Sequence, residues 1–260
     1  MLRLEDSCFF GRINERSCKV ILVSQNDYLA QIRNAIVSKQ LSANCKIDKK
    51  SWCVVSLRDI AQIQNGYSYK SSELVSKSNV GLLGIKNFNR DGSFKATGFK
   101  PISPANAKDE QYISLGEIIV AHTDLTQNAD IIGRAVQVLD TGGYEKMLTS
   151  CDLVKVSSTN NHISNELLAA LLGTEDFHKH CLCYVNGTTV LHLGKKALPE
   201  YELKIPKDKQ IMKKIDSFLK VVANKQRDLI KENRALSTTR DTLLNKLMCD
   251  EIDISKIDLA

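Results

Sequence analysis

Apolar residues return at every seventh position through the C-terminal part of the chain: Ile215, Val222, Leu229, Leu236 and Leu243. No Gly or Pro interrupts residues 207–248, and Pro206 stands where a helix can begin. The spacing predicts one helix over 207–248, about 60 Å long at the α-helical rise. Its stripe occupies heptad a positions, and a helix of that length needs a partner to cover it. The companion d side is poorer, running through Phe218 or Leu219, Lys225, Glu232 and Thr239 to Leu247.

Residues 52–206 alternate differently. Ser56 is placed to cap a short helix running through Ile63, ended by Asn65-Gly66. Short apolar runs at Val80–Ile85, Glu117–Ala121, Arg134–Leu139 and Leu153–Val156 are bounded by Gly, Asp, Asn or Ser, as strands joined by turns are. Ser164 opens a second helix that buries Leu167, Leu168, Leu171 and Leu172. Glu200 to Ile205 alternates as a strand and stops at Pro206. The fold class expected is α/β (α+β): a mixed-sheet domain over 52–206, then a long coiled-coil-forming helix over 207–248. Ahead of the domain, residues 1–51 read as a leader with a strand at Lys19–Val23 and a helix capped by Asp27, and residues 249–260 read as an acidic tail.

Charge sharpens this division. The predicted helix segment holds eleven Lys/Arg against five Asp/Glu, so the whole net charge of +6 resides there and the rest of the chain carries 25 of each sign. A basic patch for nucleic acid must therefore come from segregation of charge on the domain. No apolar run approaches the length of a membrane span, and the N-terminus lacks the apolar core of a signal peptide, so a cytoplasmic protein is expected. The eight cysteines include no CxxC pair and suit reduced thiols.

Catalytic signatures fail one by one. Gly187 and Gly194-Lys195-Lys196 have the wrong gap for a phosphate loop, and no glycine-rich dinucleotide turn is present. All four prolines are isolated, which removes the Pro-Pro-aromatic clamp of amino-methyltransferases. Glu202-Leu203-Lys204 supplies half of a carboxylate-lysine nuclease motif, and it also fits a strand edge. His178-Lys179-His180-Cys181-Leu182-Cys183 collects four metal-capable groups, but along a helix they point apart; buried cysteines with partly exposed histidines are expected. Neither catalysis nor a cofactor nor a metal is expected of the chain.

Trp52 to Ala61 followed by Ile63-Gln64-Asn65-Gly66-Tyr67, then Gly116-Glu117-Ile118-Ile119-Val120-Ala121, and above all Gly187-Thr188-Thr189-Val190-Leu191-His192-Leu193-Gly194-Lys195-Lys196-Ala197-Leu198, carry a resemblance. In order and spacing, with Ile205-Pro206 and Lys209-Gln210-Ile211 after them, they resemble type I restriction-modification specificity subunits. Such subunits carry two recognition domains and two long helices; this sequence shows one of each and so looks like a half-subunit. The resemblance implies a non-catalytic chain that reads half of a split site in double-stranded DNA. It further implies antiparallel pairing of the long helices in a homodimer, which docks methyltransferase subunits and, through the complex, the restriction subunit. The leader matches nothing in the family. A nuclease with an attached recognition domain, and a coiled-coil protein that binds no DNA, stay open as alternatives, as does a silent recognition cassette.

Groups able to pair with base edges or seat a phosphate backbone concentrate in four stretches. They contribute Tyr67, Tyr69 and Lys70; Lys86, Asn87, Asn89, Arg90 and Lys95; Thr123, Thr126, Gln127 and Asn128; and Asn186, Thr188 and Thr189.

Overall fold

The computed structural model of the chain describes residues 52–126 and 128–249. The strand expected at 19–23, the helix expected after Asp27, Gln127 and the acidic residues of the tail lie outside the described residues. The strands are β1 (Trp52–Ser56), β2 (Ala61–Asn65), β3 (Val80–Leu83), β4 (Lys100–Pro101), β5 (Tyr112–Ile113), β6 (Ile118–Ala121), β7 (Thr123–Asp124), β8 (Ala135–Gln137), β9 (Lys146–Thr149), β10 (Leu153–Ser158), β11 (Val185–Asn186), β12 (Leu191–Leu193) and β13 (Glu202–Pro206). The α-helices are α1 (Leu57–Ile60), α2 (Asn165–Leu172), α3 (Glu175–Leu182) and α4 (Lys209–Met248).

Among the described residues the strands form an antiparallel sheet β2-β10-β6-β8, a second sheet β4-β3-β9-β5, a small sheet β11-β12-β7 and a ribbon β1-β13. In the second sheet β3 and β9 run parallel. The run Ile118-Ile119-Val120-Ala121 of β6 is apolar at every position because both of its faces are covered. Ile118 and Val120 enter a core shared with α2, α3 and the start of α4, while Ile119 and Ala121 enter a second core with Leu83, Val138 and Met147.

The first helix is shorter than its sequence suggested. Ser56 makes no side-chain cap; its hydroxyl donates to the Pro199 carbonyl at 2.7 Å. After one turn the chain becomes β2, paired antiparallel with β10 from Ala61↔Ser158 to Asn65↔Val154. The alternation of Ala61 and Ile63 with Gln62 and Gln64 is a period of two, and pairing with β10 outweighs the local helix signal.

Ser164 caps α2, accepting the Leu167 amide at 3.2 Å. Its hydroxyl also donates to Asp216 of α4, so one side chain fixes a helix start and its neighbour. Asp208 caps α4 through the amides of Gln210 at 2.7 Å and Ile211 at 3.4 Å. From there α4 lies on its own domain. Met212, Ile215 and Leu219 pack into the core that holds Leu167, Leu168 and Leu171. Arg227 pairs with Glu166 at 3.5 Å, and farther on Arg234 pairs with the buried Asp140.

This arrangement corrects the expectation of one continuous seam for a second copy. Ile215, Val222 and Leu229 are only 3%, 5% and 3% exposed in the single chain. Ile215 is covered by the domain core, and Val222 and Leu229 are already buried within the single chain. Leu236 and Leu243 keep 48% and 47% of their surface, beside exposed Leu244 and Met248. A heptad marks a stripe that wants burial, and packing within one chain avoids the entropy lost on association. Among the described residues no helix is long and apolar enough to cross a membrane.

Candidate nucleic-acid interface

Two of the four polar stretches are joined by a sheet. β12 pairs with β7 through Leu191↔Asp124 and His192↔Thr123, and with β11 through Val185↔Leu193 and Asn186↔His192. The turn 187–190 and the segment following Asp124 therefore leave the same end of β11-β12-β7. Gly187 sits at φ +113°, and a Cβ there would lie 2.2 Å from the Val190 carbonyl oxygen. Only glycine closes this turn.

Asp124 organises the other segment. Its side chain is buried, and one carboxylate oxygen accepts the amide and the hydroxyl of Thr126, each at 2.8 Å. The other accepts the amides of Ile131 at 2.8 Å and Ile132 at 3.1 Å. Burial pushes its pKa up, but these bonds prevail and hold it below the usual carboxylate range. One charge thus ties both ends of the segment together.

The stretch at 67–70 arrives through the turn 150–152. A Cβ on Gly66 would stand 1.9 Å from the Ser150 carbonyl oxygen; backbone touches backbone there. The Tyr67 amide donates to Thr149 at 2.6 Å, and the Cys151 amide donates to Tyr67 at 2.9 Å. Next along, the Asp152 carbonyl accepts the amides of His122 at 2.8 Å and Thr123 at 3.2 Å, and its carboxylate accepts the Thr123 hydroxyl at 2.9 Å. Burial, then the charges of Asp152 and Cys151, raise the pKa of the half-buried Tyr69 phenol. Tyr69 therefore stays a neutral hydroxyl beside an acidic side chain.

The stretch at 86–95 reaches the opposite end of the segment through Arg134. Its turn at Gly92 lies against that side chain, where a Cβ would be 2.9 Å from Arg134 Cδ. Arg134 in turn donates from Nε to the Asp130 carbonyl at 3.4 Å and pairs with Glu175. All four stretches consequently border residues 122–134.

Not every side chain chosen from sequence is free to act. Asn87 is fully buried: its oxygen accepts the Gly84 amide at 3.0 Å, and its nitrogen donates to the carbonyls of Lys95 at 3.3 Å and Thr97 at 3.1 Å. Tyr67 is buried and donates to Glu73 at 2.6 Å. Thr123 is buried on Asp152. These three are buried and hydrogen-bonded within the fold, which corrects their reading as contact residues. Asn89 is half-buried and donates to Ser93 at 2.8 Å. Lys70, Lys86, Arg90, Lys95, Thr126, Asn128, Asn186, Thr188 and Thr189 are exposed.

Residues outside that set lie beside these stretches. His192, Lys195 and Lys196 are exposed on β12 and just beyond it. Burial first, then the His192 and Lys195 charges, lower the pKa of His122 against the opposing pull of Asp152. Their signal in the sequence was the histidine and lysines of the Gly187–Leu198 motif, which carried the family resemblance.

The His178–Cys183 segment divides by helical phase. Phe177, His178 and Cys181 of α3 face inward, Cys183 is exposed, and burial pushes the Cys181 thiol up to about 12. Buried His178 and exposed Cys183 both depart from the expected pattern. Among the described residues no three His, Cys, Asp or Glu side chains are grouped to hold a metal ion. Glu202 lies in the β1-β13 ribbon opposite Ser56.

The crystal structure of a type I restriction-modification system S subunit from M. genitalium superimposes with a TM-score of 0.59 at 17% identity, covering 87% of this chain and 55% of that one. The HsdS subunit from Thermoanaerobacter tengcongensis aligns at a TM-score of 0.49 and 12% identity, over 90% of this chain and 54% of its own. The chain thus spans about half the length of these solved structures. No curated protein sequence matches it. A family model described as the type I restriction modification DNA specificity domain matches residues 49–236, well over half of the sequence. The chain belongs to that family.

Proposed function

We propose that the chain reads one half of a divided DNA site through the stretches bordering residues 122–134, and catalyses nothing itself. The observation that carries this reading is the convergence of exposed hydrogen-bonding and cationic groups from four separate segments on one internally braced support. Thr126, Asn128, Thr188 and Thr189 are suited to base edges or phosphate oxygens, and Lys70, Lys86, Arg90, Lys95 and Lys195 to the backbone charge. Double-stranded DNA is the substrate of recognition, and methyltransferase subunits, with a restriction subunit through them, are the protein partners.

A second copy of the chain is proposed to pair antiparallel along the distal part of α4. Support comes from exposed Leu236, Leu243, Leu244 and Met248, which follow the Arg234–Asp140 ion pair along the helix. The proximal half of α4 then fixes each domain to its helix, and the distal halves set the distance between two reading domains. Such a dimer favours an interrupted palindrome.

Methylome sequencing tests this directly, in cells that supply the partner methyltransferase with and without the chain. A divided, palindromic motif methylated only when the chain is present is expected. Identical methylomes would refute the assignment.

A further inference from the structure

Leu125 is 71% exposed, more than any other large hydrophobic residue among the described residues from 52 to 206, where Val54 follows at 56% and Leu115 at 45%. A single exposed leucine on an ordinary loop calls for no explanation. This one is held differently. Its chain neighbour Asp124 is buried in β7, and its other neighbour Thr126 gives both amide and hydroxyl to that same carboxylate. The backbone is thereby fixed on each side of Leu125, and the fold presents the side chain outward at the junction of the polar stretches. On the paired strand, the position beyond the Leu191↔Asp124 rung is Val190, also apolar and half-buried. Each strand thus leaves the last rung with an apolar residue, Leu125 followed by Thr126 and Asn128, and Val190 preceded by Thr188 and Thr189.

We infer that Leu125 is a specificity-determining residue that contacts the 5-methyl group of a thymine in the major groove. The inference rests on the proposed DNA reading of this face. Thymine is the one unmodified base with an apolar group on its groove edge, and apolar side chains are its natural counterpart. A groove-edge contact also suits a side chain anchored at both neighbours. Insertion between stacked bases demands a deeper reach and a kinked duplex.

The test uses the full chain and a duplex selected by it from a random-sequence pool, with each thymine of the half-site replaced in turn by deoxyuridine. That change removes one methyl group and nothing else. For the wild-type chain, uracil at one position is expected to weaken binding about 3- to 10-fold, the scale of one methyl group withdrawn from an apolar contact. Leu125→Ala, an exposed substitution that leaves the core intact, is expected to weaken the thymine duplex by a similar factor and to bind the uracil duplex equally well. Equal sensitivity of both proteins to uracil, or none in either, overturns the inference while the DNA reading stands. A loss from Leu125→Ala that is uniform over all sequences indicates an inserted wedge and also overturns it. Failure of the wild-type chain to retain any duplex overturns the DNA reading, and this inference with it.

Discussion

Asp124→Ala is expected to abolish sequence-specific DNA binding, lowering affinity at least ~100-fold, although Asp124 itself touches no DNA. The substitution removes the acceptor for four hydrogen bonds. Ile132 is fully buried, so its amide is left with neither protein nor water as partner. The stability loss is expected at about 3–5 kcal/mol, from stranded amides and lost bonds to a charge. Leu125, Thr126 and Asn128 then lose the brace that holds them at the end of the sheet from which the 187–190 turn also leaves. Asp124→Asn keeps one accepting oxygen and is expected to fall between the two. The carboxylate's folded pKa lies below its ordinary value, so its contribution is complete above roughly pH 4 and disappears as pH falls through the lower folded value. Thermal unfolding and fluorescence anisotropy with a selected duplex measure both effects; wild-type affinity in Asp124→Ala would contradict the role given to this side chain.

The division of α4 gives the second large effect. Ile215→Ala opens a cavity in the core shared with α2 and is expected to cost about 2–5 kcal/mol, lowering Tm by roughly 10 °C. Leu236→Ala combined with Leu243→Ala removes side chains that the domain does not cover. That double variant is expected to fold with the stability of a wild-type monomer, while sedimentation shifts toward the monomer at micromolar concentration. The opposite pattern, loss of the dimer from Ile215→Ala with unchanged stability, would return the proximal stripe to an intermolecular seam.

Much of the fold was legible because local pattern and tertiary environment agreed. The apolar run Glu117–Ala121 announced strand β6, Ser164 announced α2, and a stretch without Gly or Pro announced α4. What covers the heptad was not legible. Burial within one chain and burial against a second α4 impose the same spacing on Ile215, Val222 and Leu229, and only the fold distinguishes them. The start of the domain misled because Ser56 resembles a helix cap, while its partner Pro199 lies 143 residues away. The proposed interface was read as a set of polar stretches, without its internal roles. Thr123 meets Asp152 across 29 residues, and Asn87 is absorbed by carbonyls of its own loop. Composition cannot separate a side chain that reads from one that holds the reader. Arg134 shows the same difficulty: its tie to Glu175 spans 41 positions, and nothing near it in the sequence points to the Gly92 turn.

Photocrosslinking gives the most direct test of where DNA lies. The purified chain is irradiated on a selected duplex carrying 5-iodouracil at each thymine of the half-site, and the adducts are mapped by mass spectrometry. Adducts are expected in peptides covering 122–134 and 185–196, with a minor share from 67–70 and 86–95. Adducts confined to α4 or to the β1-β13 ribbon, with none around residues 122–134, would contradict the interface.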